Sequence, residues 1–237
     1  MSKNAETTNI FVYSPLSGMG KTPISLFLTN AFALYRDAQL ADLAAGKIAE
    51  VDPAVAGGIA YLDVDTENQQ LTGTHILARR PAIRRPFLHY SRDSWAGADQ
   101  SAISLVACDT SREPKNGVLK NMNGRADLVL IPLMATEKAW SEAGRGAIDF
   151  VQGAGLNYAV ILNHHHHGDI DRMTVRLSER GVADDRVFNL PNLPAIDQII
   201  GASLMPQDAL IADRGPWYQV RDQFETLRKE CSAWLAN

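Results

Sequence analysis

The chain has 237 residues, 46% hydrophobic and 21% charged, which excludes intrinsic disorder and fits a single α/β domain spanning 1–237. A formal net charge of −4 excludes a general attraction to nucleic acid, so any such contact must be local. Cys108 and Cys231 are too few for a disulfide framework, Met1 to Thr8 is polar, and no apolar run approaches the ~18 residues a membrane span needs, so a reduced, soluble, cytoplasmic protein is expected.

In chain order, apolar runs alternate with helical periodicity, the pattern of an α/β fold with a mostly parallel central sheet flanked by helices. Asn9 to Ser14 reads as the first strand. Ile24, Phe27, Leu28, Ala31, Phe32 and Tyr35 then recur at three- and four-residue spacing, which predicts a helix with one buried face. The Ala-rich stretch from Asp37 to Gly57 either extends that helix or forms a small insertion. Gly58 to Asp65 is the second strand, ending in two carboxylates. The segment from there to Ser101 reads as a loop punctuated by Pro81 and Pro86. Strands are expected at Ser101 to Asp109, Ala126 to Leu133, Tyr158 to Asn163 and Arg186 to Leu190, and helices at Thr136 to Gln152, Arg172 to Gly181 and Pro194 to Leu204. At the end, Trp217, Val220, Phe224, Leu227, Cys231 and Trp234 fall on one stripe of a helix from Pro216 to Leu235.

The junction between the first strand and first helix carries the chemistry. Ser17-Gly18-Met19-Gly20-Lys21-Thr22-Pro23 has the composition of a phosphate-binding loop. Gly18 and Gly20 let successive N–H groups turn toward phosphate oxygens, and the helix N-terminus adds its positive dipole end. Lys21 would reach the β- and γ-phosphates and the Thr22 hydroxyl would ligate Mg²⁺. Pro15 stands where the general motif has its first glycine, and Pro23 in a first helical turn is tolerated because those N–H groups lack intrahelical partners. Acidic partners are offered by Asp109, ending the run Ile103 to Cys108, and by Asp63 and Asp65, which alternation places on one side of their strand.

Tyr61-Leu62-Asp63-Val64-Asp65 with Gln69, Val106-Ala107-Cys108-Asp109-Thr110 and Ala126-Asp127-Leu128-Val129-Leu130-Ile131-Pro132, together with the loop, resemble the ParA/MinD group of deviant-Walker ATPases over about Asn9 to Leu204. The resemblance implies a P-loop NTPase fold, ATP and Mg²⁺ as cofactors, and slow hydrolysis serving plasmid partition, maintenance or conjugative transfer. It assigns the water-orienting role to Asp65, metal support to Asp63, adenine contact to Asn163 and closure over the base to Pro191. It also implies a nucleotide-linked homodimer, non-specific DNA and a cargo or adaptor protein as partners; no membrane is expected, because Arg221, Arg228 and Lys229 of the terminal helix are balanced by Asp222, Glu225 and Glu230 and leave no cationic face. Five residues before the loop lysine, where the family carries its signature lysine, this chain has Leu16. A non-hydrolysing nucleotide-binding adaptor, or a small-molecule ligase or kinase of the same superfamily, therefore stays open.

Two further features stand out. Arg79, Arg80, Arg84 and Arg85 form the one basic cluster, suited to DNA, to a protein partner or to plain solvation. His164-His165-His166-His167, followed by Asp169 and Asp171, reads as a solvated loop or as a metal- or pH-sensitive contact; in an extended segment only alternate residues could face one ion.

Overall fold

Runs of Val, Ile and Leu that are continuous rather than alternating are suited to strands covered on both faces, and here such runs form the interior of one seven-stranded sheet. The computed structural model describes residues 7–64, 73–78, 86–110, 125–163, 169–193, 195–196 and 216–236. The strands are β1 (Thr8–Val12), β2 (Gly58–Asp63), β3 (Leu88–Ser91), β4 (Ile103–Asp109), β5 (Leu128–Met134), β6 (Tyr158–Asn163) and β7 (Val187–Leu190). They lie in the order β3-β2-β4-β1-β5-β6-β7, and every pairing is parallel. The register sets Asp63 and Val12 each opposite Asp109, and both Met134 and Leu190 opposite Asn163. Asp63, Asp109 and Asn163 thus share one edge of the sheet, the carboxyl ends of its strands, where open α/β sheets bind ligands.

The helices are α1 (Lys21–Ala44), α2 (Gly73–Ala78), α3 (Arg92–Trp95), α4 (Glu137–Ala139 continued by Arg145–Gly153 through a π-helical turn at Trp140–Gly144), α5 (Asp169–Glu179) and α6 (Pro216–Ala236). Alternation along β5 divides the core: Leu128 and Leu130 join α1 and α6 on one face, while Val129, Ile131 and Leu133 join α4 and α5 on the other. α1 is buried without interruption from Ile24 to Ala33 because it lies between the sheet and α6, where Phe27 and Phe224 meet edge to face at 5.2 Å. The predicted stripe on the last helix is buried at Val220, Phe224, Leu227, Cys231 and Trp234, and both cysteines are free and buried. Among the described residues no helix is long and apolar enough to cross a membrane.

Several boundaries differ from expectation. The second strand stops at Asp63, after which Val64 N–H donates to the Asp109 carbonyl at 3.0 Å. α1 runs on to Ala44 and a 3₁₀ turn follows at Pro53–Val55, capped by Asp52, whose Oδ1 accepts from Ala54 N–H at 3.0 Å. The stretch read as loop holds β3 and two short helices. Ala195 and Ile196 are helical, and the rest of the helix expected at Pro194 to Leu204 lies outside the described residues.

Candidate functional site

Tyr13 N–H donates to Leu130 O at 2.9 Å, so the loop leaves β1 tied to β5. Gly18 and Gly20 both adopt positive φ, +74° and +87°, the left-handed region glycine enters without strain. Gly20 is the N-cap of α1, and no side chain caps it there; the first turn holds no acidic residue. The helix therefore presents its unsatisfied N–H groups and dipole to the loop, as an anion site requires. Ser17 and Gly18 are exposed at the rim, Met19 is buried, and Pro23 occupies the first helical turn. Lys21 is 93% buried, its Nζ donating to the Leu16 carbonyl at 2.8 Å, and Leu16 packs its own side chain against the apolar cluster on the α4 face.

Asn163 supports the loop from below. Its Nδ2 donates to the Met19 carbonyl at 3.0 Å, and a Cβ at Gly20 would overlap its amide. Its Oδ1 is buried with no hydrogen-bond partner among the described residues. Pro191 follows directly on β7, whose last residue, Leu190, is the register neighbour of Asn163.

The carboxylates meet beside the loop. Asp109 is completely buried; Tyr61 donates to its Oδ2 at 3.0 Å, while Oδ1 is buried with no hydrogen-bond partner among the described residues. Asp63 Oδ2 accepts from both the N–H and the hydroxyl of Thr74, at 2.9 and 2.7 Å, and the Thr74 hydroxyl also meets His89 Nε2 at 3.1 Å. Thr110, next to Asp109, is anchored by its hydroxyl to the Val12 carbonyl at 2.8 Å. An unpartnered buried carboxylate oxygen beside the Thr22 side chain fits a hard cation, which takes oxygen ligands. The residues that would hold Mg²⁺ are Thr22 and Asp109, with Asp63 one strand away.

Burial pushes the Asp109 carboxyl up to about 7, and the Asp63 charge adds to this; the Thr22 side chain, Tyr61 and Lys21 pull it back. A carboxyl with a higher pKa in the folded than in the unfolded chain stabilises the fold below its unfolded value and loses that contribution as pH rises through the folded one. The nucleotide- and metal-free protein should therefore melt several degrees lower at about pH 8 than at about pH 5, at roughly 2–4 °C per kcal/mol. Asp109→Asn should flatten this dependence in a calorimetric pH series; an unchanged slope would mean Asp109 is ionised throughout.

Sequence reasoning had placed Ser17 to Pro23, Asp63, Asp109 and Asn163 at the site, and the structure gathers them along one sheet edge. Asp65, Arg79, Arg80, Arg84, Arg85 and His164 to His167 lie outside the described residues. Tyr61, Thr74 and His89 went unnoticed. Tyr61 carried a signal, since the alternation that pairs Asp63 with Asp65 puts Tyr61 on the same face; Thr74 and His89 carried none, because they enter from α2 and β3 through tertiary contacts.

No protein-family model matches the sequence, and no curated protein matches it. Among solved structures, the chain is similar to an McdA variant of Cyanothece in complex with ATP, at TM-score 0.62 and 12% identity over 96% of this chain and 97% of that one. It is similar to MinD of Aquifex aeolicus, at 0.59 and 14% over 94% and 97%. A putative plasmid partition protein of Borrelia burgdorferi bound to AMPPNP gives 0.54 and 14% over 93% and 99%. At these identities the likeness is one of fold: an all-parallel seven-stranded sheet flanked by helices, the ParA/MinD P-loop NTPase fold.

Proposed function

We propose that the protein binds ATP with Mg²⁺ at the β1–α1 loop and acts as a slow, partition-type ATPase that positions DNA or another macromolecular cargo. The observation that carries this reading is the convergence of an uncapped helix start at a left-handed Gly20, the buried Lys21 ammonium and the unpartnered Asp109 Oδ1. A buried polar atom without a partner costs about 1–3 kcal/mol, so the arrangement makes sense as a site built for a ligand. Solved neighbours of the same fold hold ATP or AMPPNP.

The loop N–H groups and Lys21 bind the phosphates, Thr22 and Asp109 hold the metal with Asp63 in support, and Asp65 orients the attacking water. Bound Mg²⁺ neutralises phosphate charge. Asn163 and Pro191 border the base side of the loop. A nucleotide-linked homodimer belongs to this reading, and contacts to DNA would fall to Arg79, Arg80, Arg84 and Arg85.

Leu16 favours one alternative. It stands in place of the signature lysine, packs its side chain against apolar neighbours and brings no side-chain cation, while its carbonyl accepts from Lys21. A non-hydrolysing adaptor needs no lysine there.

The decisive experiment measures ATP binding and turnover with and without Mg²⁺ and non-specific DNA, in wild type, Asp65→Ala and Asp109→Ala. Asp65→Ala should retain ATP and abolish turnover, whereas Asp109→Ala should lose binding and Mg²⁺ dependence together. Absence of Mg²⁺-dependent ATP binding by wild type would overturn the reading. Binding without turnover under any of these conditions would select the adaptor.

A further inference from the structure

Tyr61 has a place that neither the loop nor the carboxylates account for. It is fully buried in β2, a strand otherwise aliphatic until Asp63, and its register partner in β4 is Ala107, two residues before Asp109. From there its ring reaches along the sheet and its hydroxyl ends on Asp109 Oδ2, at 3.0 Å. The hydroxyl needs room, and Gly73 supplies it: a Cβ at that position would overlap the Tyr61 hydroxyl. The ring is held on a second side by His89 of β3, stacked with centroids 5.8 Å apart and planes inclined by 29°. His89 in turn meets the Thr74 hydroxyl that binds Asp63. Three elements, α2, β2 and β3, thus fix one phenol.

The consequence falls on Asp109. A carboxylate has two oxygens and can rotate between them, yet here Oδ2 is committed to Tyr61, while Oδ1, near the Thr22 side chain, has no hydrogen-bond partner at ordinary distance among the described residues. We propose that Tyr61 is a positioning residue for the metal site: by engaging Oδ2 it holds the Asp109 carboxylate in the one orientation that turns Oδ1 to the cation. The proposal rests on the Mg²⁺–nucleotide reading above and goes beyond it by naming the residue that orients the metal ligand. Residues that hold a metal ligand through a hydrogen bond typically contribute about 10–100-fold in metal affinity.

The test titrates Mg²⁺ at fixed fluorescent ADP in the full chain. Tyr61→Phe keeps the ring, its stacking and its volume, and removes only the hydroxyl. It should raise the Mg²⁺ concentration for half-maximal binding about 10–100-fold, with metal-free ADP affinity close to wild type and a melting temperature lower only by the several degrees that one lost buried hydrogen bond costs. A merely structural role would lower the melting temperature and weaken metal-free ADP binding while leaving the Mg²⁺ concentration for half-maximal binding unchanged. Asp109→Asn closes the cycle: in that background Tyr61→Phe should have no further effect on Mg²⁺, because the group it positions is gone. Mg²⁺-dependent binding in wild type that is unaltered in Tyr61→Phe, or effects that add in the double variant, would overturn the role of Tyr61 alone. Lack of any Mg²⁺ dependence in wild type would overturn both this role and the function from which it follows.

Discussion

Lys21→Ala should weaken ATP affinity by an order of magnitude or more. A charge-assisted hydrogen bond contributes about 1.5–3 kcal/mol, and each 1.4 kcal/mol is a factor of ten. The ammonium is held by the Leu16 carbonyl at 2.8 Å and lies close enough to Asp109 to lower its pKa. Bound phosphate would offer that ammonium a charged acceptor in place of a neutral one, so the contact strengthens on binding. The variant loses this gain and leaves Asp109 without its nearby cation. Calorimetric titration of ATP with Mg²⁺ reads the effect. An affinity equal to wild type in a folded Lys21→Ala protein would remove the loop from the site.

Gly20→Ala should be the most damaging of the loop's small substitutions, and its contrast with Gly18→Ala isolates the reason. Both glycines have positive φ, which costs an L-residue about 1–2 kcal/mol. Gly18 has open space where a Cβ would go, so its substitution should cost that much and no more. At Gly20 the added methyl would also drive the Asn163 amide off the Met19 carbonyl, a further ~1–3 kcal/mol for a buried hydrogen bond broken. Chemical denaturation should rank the two in that order. Combining Gly20→Ala with Asn163→Ala should cost less than the sum of the single changes, since the second relieves the overlap created by the first. Equal losses at the two glycines would mean that Asn163 moves aside freely.

How far the sequence could be read depended on whether a segment's partners lay in its own pattern. β1 and α1 were legible because Ile10 to Val12 and the buried Ile24, Phe27, Leu28 and Phe32 announce their periods, with Gly20-Lys21-Thr22 between them. β3 was not: it has four residues, Leu88 is exposed, and His89, Tyr90 and Ser91 are only half-buried, as suits a strand at the sheet edge. Without β3 the contacts of His89 with Tyr61 and Thr74 were beyond reach, since they come from strand register rather than chain spacing. The helix expected at Thr136 to Gln152 is present, but its π turn went unforeseen. Gly144 packs there against Leu133 and Trp140, so close that a Cβ would meet Leu133 Cδ1 at 2.8 Å, a constraint set by the sheet below. Asn163 was expected at the end of its strand and is there; that its amide holds the loop through the Met19 carbonyl depends on a contact 144 residues apart.

The strand order also bears on how the protein is made. β1 is synthesised before the other six strands of this sheet, yet it lies at the sheet's centre with β4 and β5 as its neighbours. Thr8 pairs with Leu105 and Ile10 with Leu128, so roughly a hundred residues must follow β1 before its first neighbour exists. At about 5–20 residues per second the nascent chain carries an apolar strand with both edges unpaired for roughly 5–20 s. α1 can coil in that time, since its hydrogen bonds are local, but its buried face has no sheet to lie on. The β1–loop–α1 unit thus precedes every strand that seals it, and truncation before β4 should yield fragments that aggregate or are captured by chaperones.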